Sequence, residues 1–358
     1  MFEALTPVDL GLPSKFVSFR PSQAVGLDWA LYDCTKRFTA VSMPTGSGKS
    51  LFALALAQSL GVKAVYLTAT KGLQEQVLRD AAEIGMVDVR GRGNYRCTEL
   101  SGLSCDHGLR EGCTRAQGVL CPAKAAVKRG EESSLVVTNY AWWLHSKGME
   151  CGLLICDEMH AVPELLADFM AVVLPCNNYD SSGLMNEPQG DVWKAWAAGE
   201  YIKAKVRQRE IEAAYKLASL ARQDPDWQEI DERLTEYAKV ARMDSNWVWE
   251  SSKGKVYFTP IWPGRYASAL WQNVPRILLI SATLRPYTLS LLGLAKETYD
   301  FKEWPAVFPP QRSPVYHLPT AKLSWKSGDS DYEKIVEAVD GILAARSDRR
   351  GIIHTVSY

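Results

Sequence analysis

Apolar residues in this chain fall in short continuous runs separated by longer mixed stretches. Phe38-Thr-Ala-Val-Ser42, Lys63-Ala-Val-Tyr-Leu-Thr-Ala-Thr70, Glu131 to Tyr140 (EESSLVVTNY), Gly152-Leu-Leu-Ile-Cys156 and Arg276-Ile-Leu-Leu-Ile-Ser281 have strand length and strand composition. Leu51 to Leu60 (LFALALAQSL) reads as a buried helix, and Thr70-Lys71-Gly72 opens another. This alternation is the rhythm of a parallel sheet covered by helices. Polar residues follow each strand directly, and the carboxyl ends of such strands are where these sheets bind ligands.

The rhythm breaks twice. From Gly91-Arg-Gly-Asn-Tyr-Arg-Cys97 the chain is Gly-rich and basic, with little periodicity. From Asp191 to Asp244 it is largely helical, mixed in charge and rich in Trp (Trp193, Trp196, Trp227, with Trp247, Trp249 and Trp262 beyond). The favoured reading of those tryptophans is a core of their own beneath a solvated charged face; a single-strand stacking surface with Lys203, Lys205, Arg207 and Arg209 is the sharper alternative. Residues 1–19 read as a lead-in, followed by an amphipathic helix to about Asp33. From Pro305 a linker leads to an expected strand, a helix over Tyr332 to Arg346 and a strand over Gly351 to Tyr358.

Three stretches carry chemistry. Met43-Pro-Thr-Gly-Ser-Gly-Lys-Ser50, between a strand and a helix, reads as a phosphate loop. Gly46 and Gly48 let the backbone aim several N–H groups at one anion, and the following helix adds its positive dipole end. Lys49 would reach the outer phosphates of a nucleotide and Ser50 would hold Mg²⁺. The general pattern wants Gly or Ala where Met43 stands. Asp157-Glu158, at the end of an apolar strand, supply a Mg²⁺-facing carboxylate and a residue able to activate water. Some twenty residues before the loop, Gln23 offers an amide suited to an adenine edge, against the plain reading of a helix start with Pro21 at its first turn.

Cys97, Cys105, Cys113 and Cys121 recur at a spacing of eight within the broken segment. Four thiols in one loop admit a [4Fe–4S] cluster, a zinc ion or no metal, and the paired knuckles usual for zinc are missing. Cys34, Cys151, Cys156 and Cys176 sit in apolar surroundings and are expected to be buried. His107 is expected to be solvated rather than a ligand.

The totals narrow this picture little. The 358 residues, 47% hydrophobic and 23% charged, suit two or three globular domains, and the formal net charge of zero confines any nucleic-acid surface to a local patch. No apolar run approaches the roughly 18–20 residues that span a bilayer, and no signal-like head is visible. Eight cysteines in such a chain imply a reducing compartment, cytoplasmic or, in a eukaryote, nuclear, without membrane contact.

Taken in order, these pieces resemble the superfamily 2 ATP-dependent helicases, and within them the iron–sulfur branch typified by XPD and DinG. Arg20-Pro-Ser-Gln23 resembles the Q motif, and Met43 to Ser50 the branch's motif I, in which Met-Pro before the glycines is familiar. Leu67 to Gln76 resembles motif Ia. Asp157-Glu-Met-His160 resembles the DEAH box with Met159 for Ala, Ser281-Ala-Thr-Leu284 resembles motif III, and Ile352 to Tyr358 motif IV. Gly91 to Cys97 resembles the opening of the branch's cluster domain, which Cys121-Pro and Thr138-Asn-Tyr140 close. The even cysteine spacing departs from its best-known members.

The resemblance implies a RecA-like α/β P-loop NTPase domain over 1–92, 131–161 and 256–304. It implies a Cys-rich iron–sulfur insertion over 93–130, a helical arch over 162–255 and the start of a second RecA-like domain over 305–358. It implies ATP held by Arg20, Gln23, Thr45, Gly46, Ser47, Gly48, Lys49 and Ser50, with Mg²⁺ on Ser50 and Asp157. Lys49, Asp157, Glu158 and His160 would carry catalysis, and Ser281 and Thr283 would couple it to movement. Thr70 and Lys71 would touch DNA, and Cys97, Cys105, Cys113 and Cys121 would hold [4Fe–4S], with zinc as the alternative. The implied work is 5′ to 3′ movement on single-stranded or forked DNA. Motifs V and VI, with their arginine finger, are not in the sequence, so weak turnover is expected unless a partner or further segment completes the second motor domain. A regulatory nucleotide- and DNA-binding module, and an RNA helicase, are the competing functions.

Overall fold

The computed structural model describes residues 5–113, 121–175, 190–215, 221, 224–252, 254–271, 273–306, 309, 311, 315–324, 326–348 and 350–353. Two compact units divide at Val307 and Phe308.

The first unit is built on β1 (Phe38–Ser42), β2 (Ala64–Thr68), β3 (Val87–Asp88), β4 (Leu135–Asn139), β5 (Leu153–Cys156), β9 (Arg276–Ser281) and β10 (Tyr299–Glu303). Their order across the sheet is β10-β1-β9-β5-β2-β4-β3, and every pairing is parallel. Parallel strands covered on both faces need apolar residues at both alternations, which is why β1, β2 and β5 are buried along their whole length. Val41, Tyr66, Ile155 and Ile280 pack on one side with α2 (Lys49–Leu60), whereas Ala40, Leu67, Cys156 and Leu279 pack on the other with α6 (Tyr140–Ser146) and α7 (Val162–Met170). Helix α2 is buried from Leu51 to Ala57 and stops at Gly61, which takes the left-handed conformation. On the same side, α1 (Pro21–Asp28) presses Gly26 against Phe52 and Trp304; a Cβ there would stand 3.1 Å from both rings.

The chemistry is gathered by strand order, not chain order. In the sheet β9 lies between β1 and β5, pairing Ser42 with Ser281 and Cys156 with Leu279. Three polar turns distant in sequence therefore leave one sheet edge side by side.

The Cys-rich segment leaves the sheet after β3. Arg90 is tied to Asp88 at 2.7 Å and to Glu75 at 3.1 Å, and its N–H donates to the Tyr95 hydroxyl at 3.0 Å. Helix α3 (Lys71–Asp80) contributes Gln74, whose buried amide donates to Asp88 at 2.5 Å and to the Val89 carbonyl at 3.1 Å. The segment contains α4 (Cys105–Arg110) and returns through α5 (Pro122–Glu132).

The second insertion has a long helix α8 (Gly190–Ala214), packed against α9 (Pro225–Ala241), and an antiparallel sheet in the order β6-β8-β7 (Val172–Pro175, Lys255–Pro260, Trp247–Ser252). Strand β8 pairs with both β6 and β7, so this layer extends to Pro260. Trp193 and Trp247 are buried in its core, with Trp196 and Trp249 packed against it, which favours the core reading of these tryptophans. Trp262 is 54% exposed. Gln228 donates to the Arg110 carbonyl at 3.1 Å and Arg110 lies 3.4 Å from Glu232, so α4 of the first insertion touches α9 of the second.

In the second unit α10 (Asp329–Ala344) forms where a helix was expected. Of the two strands expected around it, residues 315–324 and 351–353 have no ladder partner among the described residues, and 354–358 of the motif IV stretch lie outside the described residues. A strand is stable only when its backbone groups are paired, and hydrophobicity alone does not supply the neighbour.

Candidate active site

The phosphate loop starts at Met43, whose N–H donates to the Ser281 carbonyl at 2.9 Å, anchoring it to β9. Gly46 and Gly48 have φ of 78° and 83°, the left-handed region that glycine enters without steric cost. Gly48 is the N-cap of α2, so the first N–H groups of that helix, which lack intrahelical acceptors, open onto the loop. Ser47 Oγ is buried and has no hydrogen-bond partner among the described residues. A loop with these glycines, a helix N-terminus, an unpaired hydroxyl and Lys49 fits the phosphates of a nucleotide.

The Q-motif residues sit on that loop. The Arg20 guanidinium donates to the Gly46 carbonyl. Gln23 is buried; its amide nitrogen donates to the carbonyls of Ser47 and Gly48, both at 3.0 Å, and its oxygen accepts the Arg20 N–H at 2.8 Å. In this structure its amide nitrogen is therefore spent on the loop, and an adenine edge would have to displace those bonds. Thr45 is exposed at the tip.

Asp157 follows β5 and is almost wholly buried. Oδ2 accepts the Tyr66 hydroxyl at 2.8 Å, Oδ1 accepts the Glu158 N–H at 2.8 Å, and its own carbonyl accepts the Tyr140 hydroxyl at 2.7 Å. Burial raises its pKa above the ordinary aspartate value, against the lowering effects of the Tyr66 and Glu158 bonds and the Lys49 charge. Glu158 takes φ 51°, a left-handed conformation unusual for a side-chain-bearing residue. This turn brings Glu158 Oε2 to 3.3 Å from His160 Nδ1 and 3.5 Å from Ser281 Oγ, while His160 Nδ1 and Ser281 Oγ are 2.7 Å apart. Thr283 reaches this group only through its N–H, at 3.4 Å from Ser281 Oγ.

Residues 20–173, somewhat under half of the chain, match the DEAD/DEAH box helicase family. This segment is similar to the DEAD/DEAH box helicase domain. Among solved structures, the chain is similar to an XPD helicase (13% identity, TM-score 0.47, covering 79% of this chain and 61% of that one). It is also similar to an apo XPD structure (12%, 0.48, 91% and 67%) and to Xpd4 of S. tokodaii (12%, 0.40, 80% and 61%). The chain thus spans about three fifths of the length of the first of these relatives. Comparison with curated proteins finds no match.

At the start of α3, Thr70 Oγ1 accepts the Leu73 N–H at 3.3 Å, capping the helix, and Lys71 is exposed beside it. The thiols of Cys97 and Cys113 are 3.6 Å apart, and Cys105 has Cys121 as a hydrogen-bonding neighbour. The Leu100 N–H donates to Cys97 Sγ at 3.3 Å and holds that thiol below its ordinary pKa; burial raises Cys105. A Cβ on Gly108 of α4 would lie 2.8 Å from Cys97 Sγ, so the helix packs directly on this pair. The donor chemistry fits a thiolate-bound metal. Among the described residues, however, no three His, Cys, Asp or Glu side chains converge as ligands: the thiols stand as two neighbouring pairs. Cys34, Cys151 and Cys156 are buried, Cys176 lies outside the described residues, and His107 is exposed. No described helix is long and apolar enough to cross a membrane.

Tyr66, Tyr140 and Gln74 were given no role of their own by sequence, although all but Tyr66 fall within motif stretches. The only signal was polarity inside runs that otherwise read as buried: an aromatic hydroxyl in the middle of an apolar strand implies a partner, without saying which.

Proposed function

We propose that this chain is the ATP-hydrolysing half of a helicase motor, acting with Mg²⁺ and moving on single-stranded DNA in the 5′ to 3′ direction. The observation that supports it most is the meeting of Glu158, His160 and Ser281 within 3.5 Å, beside a glycine loop carrying Lys49. A protein that only bound nucleotide would have no use for a strained glutamate wired to the next strand. In this reading the loop N–H groups and Lys49 hold the β- and γ-phosphates. Ser50 and Asp157 would hold the Mg²⁺ ion, which would neutralise charge on those phosphates. Glu158 orients and deprotonates the attacking water, and its link through His160 to Ser281 relays the state of the γ-phosphate to β9. Arg20 and Gln23 sense the loop, and Thr70 and Lys71 lie on the DNA side.

The same reading gives Cys97, Cys105, Cys113 and Cys121 a [4Fe–4S] cluster, which would brace a segment with little core of its own. About four iron atoms per chain after anaerobic purification is the expected result; one zinc instead would remove the protein from the iron–sulfur branch. The function is tested by ATP turnover with single-stranded DNA, with RNA and without either. Weak DNA-stimulated turnover that Glu158→Gln removes is expected, because motifs V and VI with their arginine finger are not in the sequence. Nucleotide binding without turnover under any of these conditions would favour a regulatory module, and stimulation by RNA alone would favour an RNA helicase.

A further inference from the structure

The second insertion holds a cavity of about 530 Å³, lined from α8, α9, the end of α7 and the start of β7. Pockets for small ligands run from roughly 300 to 1,000 Å³. None of its residues belongs to the site described above. Part of its wall is aromatic: Trp247 and Tyr266 meet edge to face with ring centroids 5.9 Å apart, and Tyr201 lines the same space. The Trp247 Nε1–H donates to the Tyr266 hydroxyl at 2.7 Å, and the proton of that hydroxyl has no acceptor among the described residues.

The rest of the wall is cationic. Lys205 of α8 and Lys239 and Arg242 at the end of α9 line the cavity, against a single lining carboxylate, Asp231. Asp231 accepts the Gln208 amide at 3.0 Å, and the Gln208 oxygen accepts Lys205 Nζ at 3.0 Å, so this carboxylate is joined to Lys205. Lys239 is half-buried, with Nζ 3.5 Å from the Phe169 carbonyl and 5.6 Å from the centre of the Phe169 ring. Neither it nor Arg242 pairs with a carboxylate among the described residues; Glu236, one turn of helix away, is held by Arg233 at 2.7 Å. A partly buried ammonium without a counter-charge is costly, and a bound anion would offset that cost. Of the four cations considered for a strand-binding face, Lys203 is tied to Glu200 at 2.7 Å and Arg207 to Glu210 at 3.1 Å, whereas Lys205 lines the cavity.

We propose that this cavity binds one nucleotide, its base against Tyr201, Trp247 and Tyr266 and its phosphate on Lys239 and Arg242. An aromatic wall alone suits any apolar ring, and cations alone suit any anion. Their meeting in one cavity asks for a planar ring that carries negative charge. The Tyr266 proton supplies a donor for a carbonyl or ring nitrogen on the base edge. The choice of a nucleotide among planar anions rests on the reading of this chain as a nucleic-acid motor; the cavity and its charges do not. A free nucleotide and one unit of a single strand present the same chemistry.

The test is calorimetric binding of dTMP, thymidine, inorganic phosphate and ATP to the full chain, as wild type and as Lys239→Gln/Arg242→Gln. The double variant is expected to weaken dTMP about tenfold or more, the scale of a hydrogen bond to a charged group, and to leave ATP affinity unchanged. Thymidine and inorganic phosphate each meet half of the site, so each should bind the wild type at least about tenfold more weakly than dTMP. Tyr266→Phe should weaken dTMP about three- to tenfold. Failure of ATP to bind the wild type would count against the motor reading, while dTMP binding reports on the cavity separately. Competition by oligothymidylate assigns the site to a strand, and lack of competition assigns it to free nucleotides. Equal dTMP affinity in the wild type and the double variant, or phosphate bound as tightly as dTMP, overturns the proposal. Should the double variant fail to fold, ultraviolet cross-linking of 5-iodo-dUMP to the wild type decides. Adducts on the peptides of Tyr201, Trp247 or Tyr266 are expected, and their absence from all three overturns the proposal equally.

Discussion

His160 and Ser281 are 121 residues apart in the chain, yet Nδ1 of one lies 2.7 Å from Oγ of the other. Both also approach Glu158, so this contact joins the turn after β5 to the end of β9 through the group read as the water-activating base. Ser281→Ala removes the link and leaves the phosphate loop alone. The expected outcome is nucleotide affinity within about twofold of wild type and turnover lowered about tenfold, the scale of one lost hydrogen bond. Binding and steady-state turnover measured on one preparation check it; a parallel fall in both would mean that Ser281 supports the loop and not the chemical step.

Gly48→Ala meets two obstacles. The position has φ 83°, and the new Cβ would overlap Gln23 Nε2. The left-handed conformation alone costs about 1–2 kcal/mol. The clash involves the end of a side chain that can move, so the double variant Gln23→Ala/Gly48→Ala should recover part of the nucleotide affinity that Gly48→Ala loses. Strict additivity of the two effects would show that Gln23 does not press on the loop in solution.

Asp157 is held against its own preference. Burial lifts its pKa, so between the ordinary value of 3.8 and the raised one the folded chain binds a proton that the unfolded chain does not. Stability from this group therefore grows as pH falls through that window, and above it the buried charge is a net cost. Asp157→Asn should raise the melting stability of the nucleotide-free protein near neutral pH while abolishing the effect of Mg²⁺ on nucleotide binding. Thermal melts of both forms across pH check this, the gain expected to shrink on acidification. A destabilised Asn variant would show that the Tyr66 and Glu158 bonds outweigh burial.

The contact between the two insertions is of another kind. Arg110 and Glu232 are 53% and 65% exposed, where ion pairs contribute little. Glu232→Lys should leave the melting temperature within about 1 °C of wild type yet separate α4 from α9, read as a longer distance between spin labels on the two helices. An unchanged distance would place the hold elsewhere.

The sequence made the phosphate loop and the Asp157-Glu158 turn legible because each is a local pattern, set by backbone freedom at Gly46 and Gly48 and by charge at the end of an apolar strand. It made the parallel sheet legible because the strands are apolar on both faces. It did not reveal that β9 separates β1 from β5, since strand order depends on long connections that leave no mark in periodicity. Tyr66 was hidden for a related reason: a tyrosine in a buried strand looks like packing until its partner, ninety-one residues away, is placed. Gln23 was read as facing a ligand, whereas its amide faces the loop; side-chain chemistry names what a group can bind and leaves open which of two neighbours it reaches. The strands expected in the second unit were inferred from hydrophobicity alone, and those described there have no ladder.

The sheet order also sets when this site can exist during synthesis. Among the described strands β1 is flanked by β9 and β10 alone, so the segment carrying the phosphate loop has no sheet neighbour until residues 276–303 have been made. At about 5–20 residues per second, the ribosome takes on the order of ten seconds or more to travel from one to the other. Through that interval Leu51 to Ala57 can pack only against partners made earlier, such as Leu27, Tyr66 and Ile155, while both insertions are free to fold.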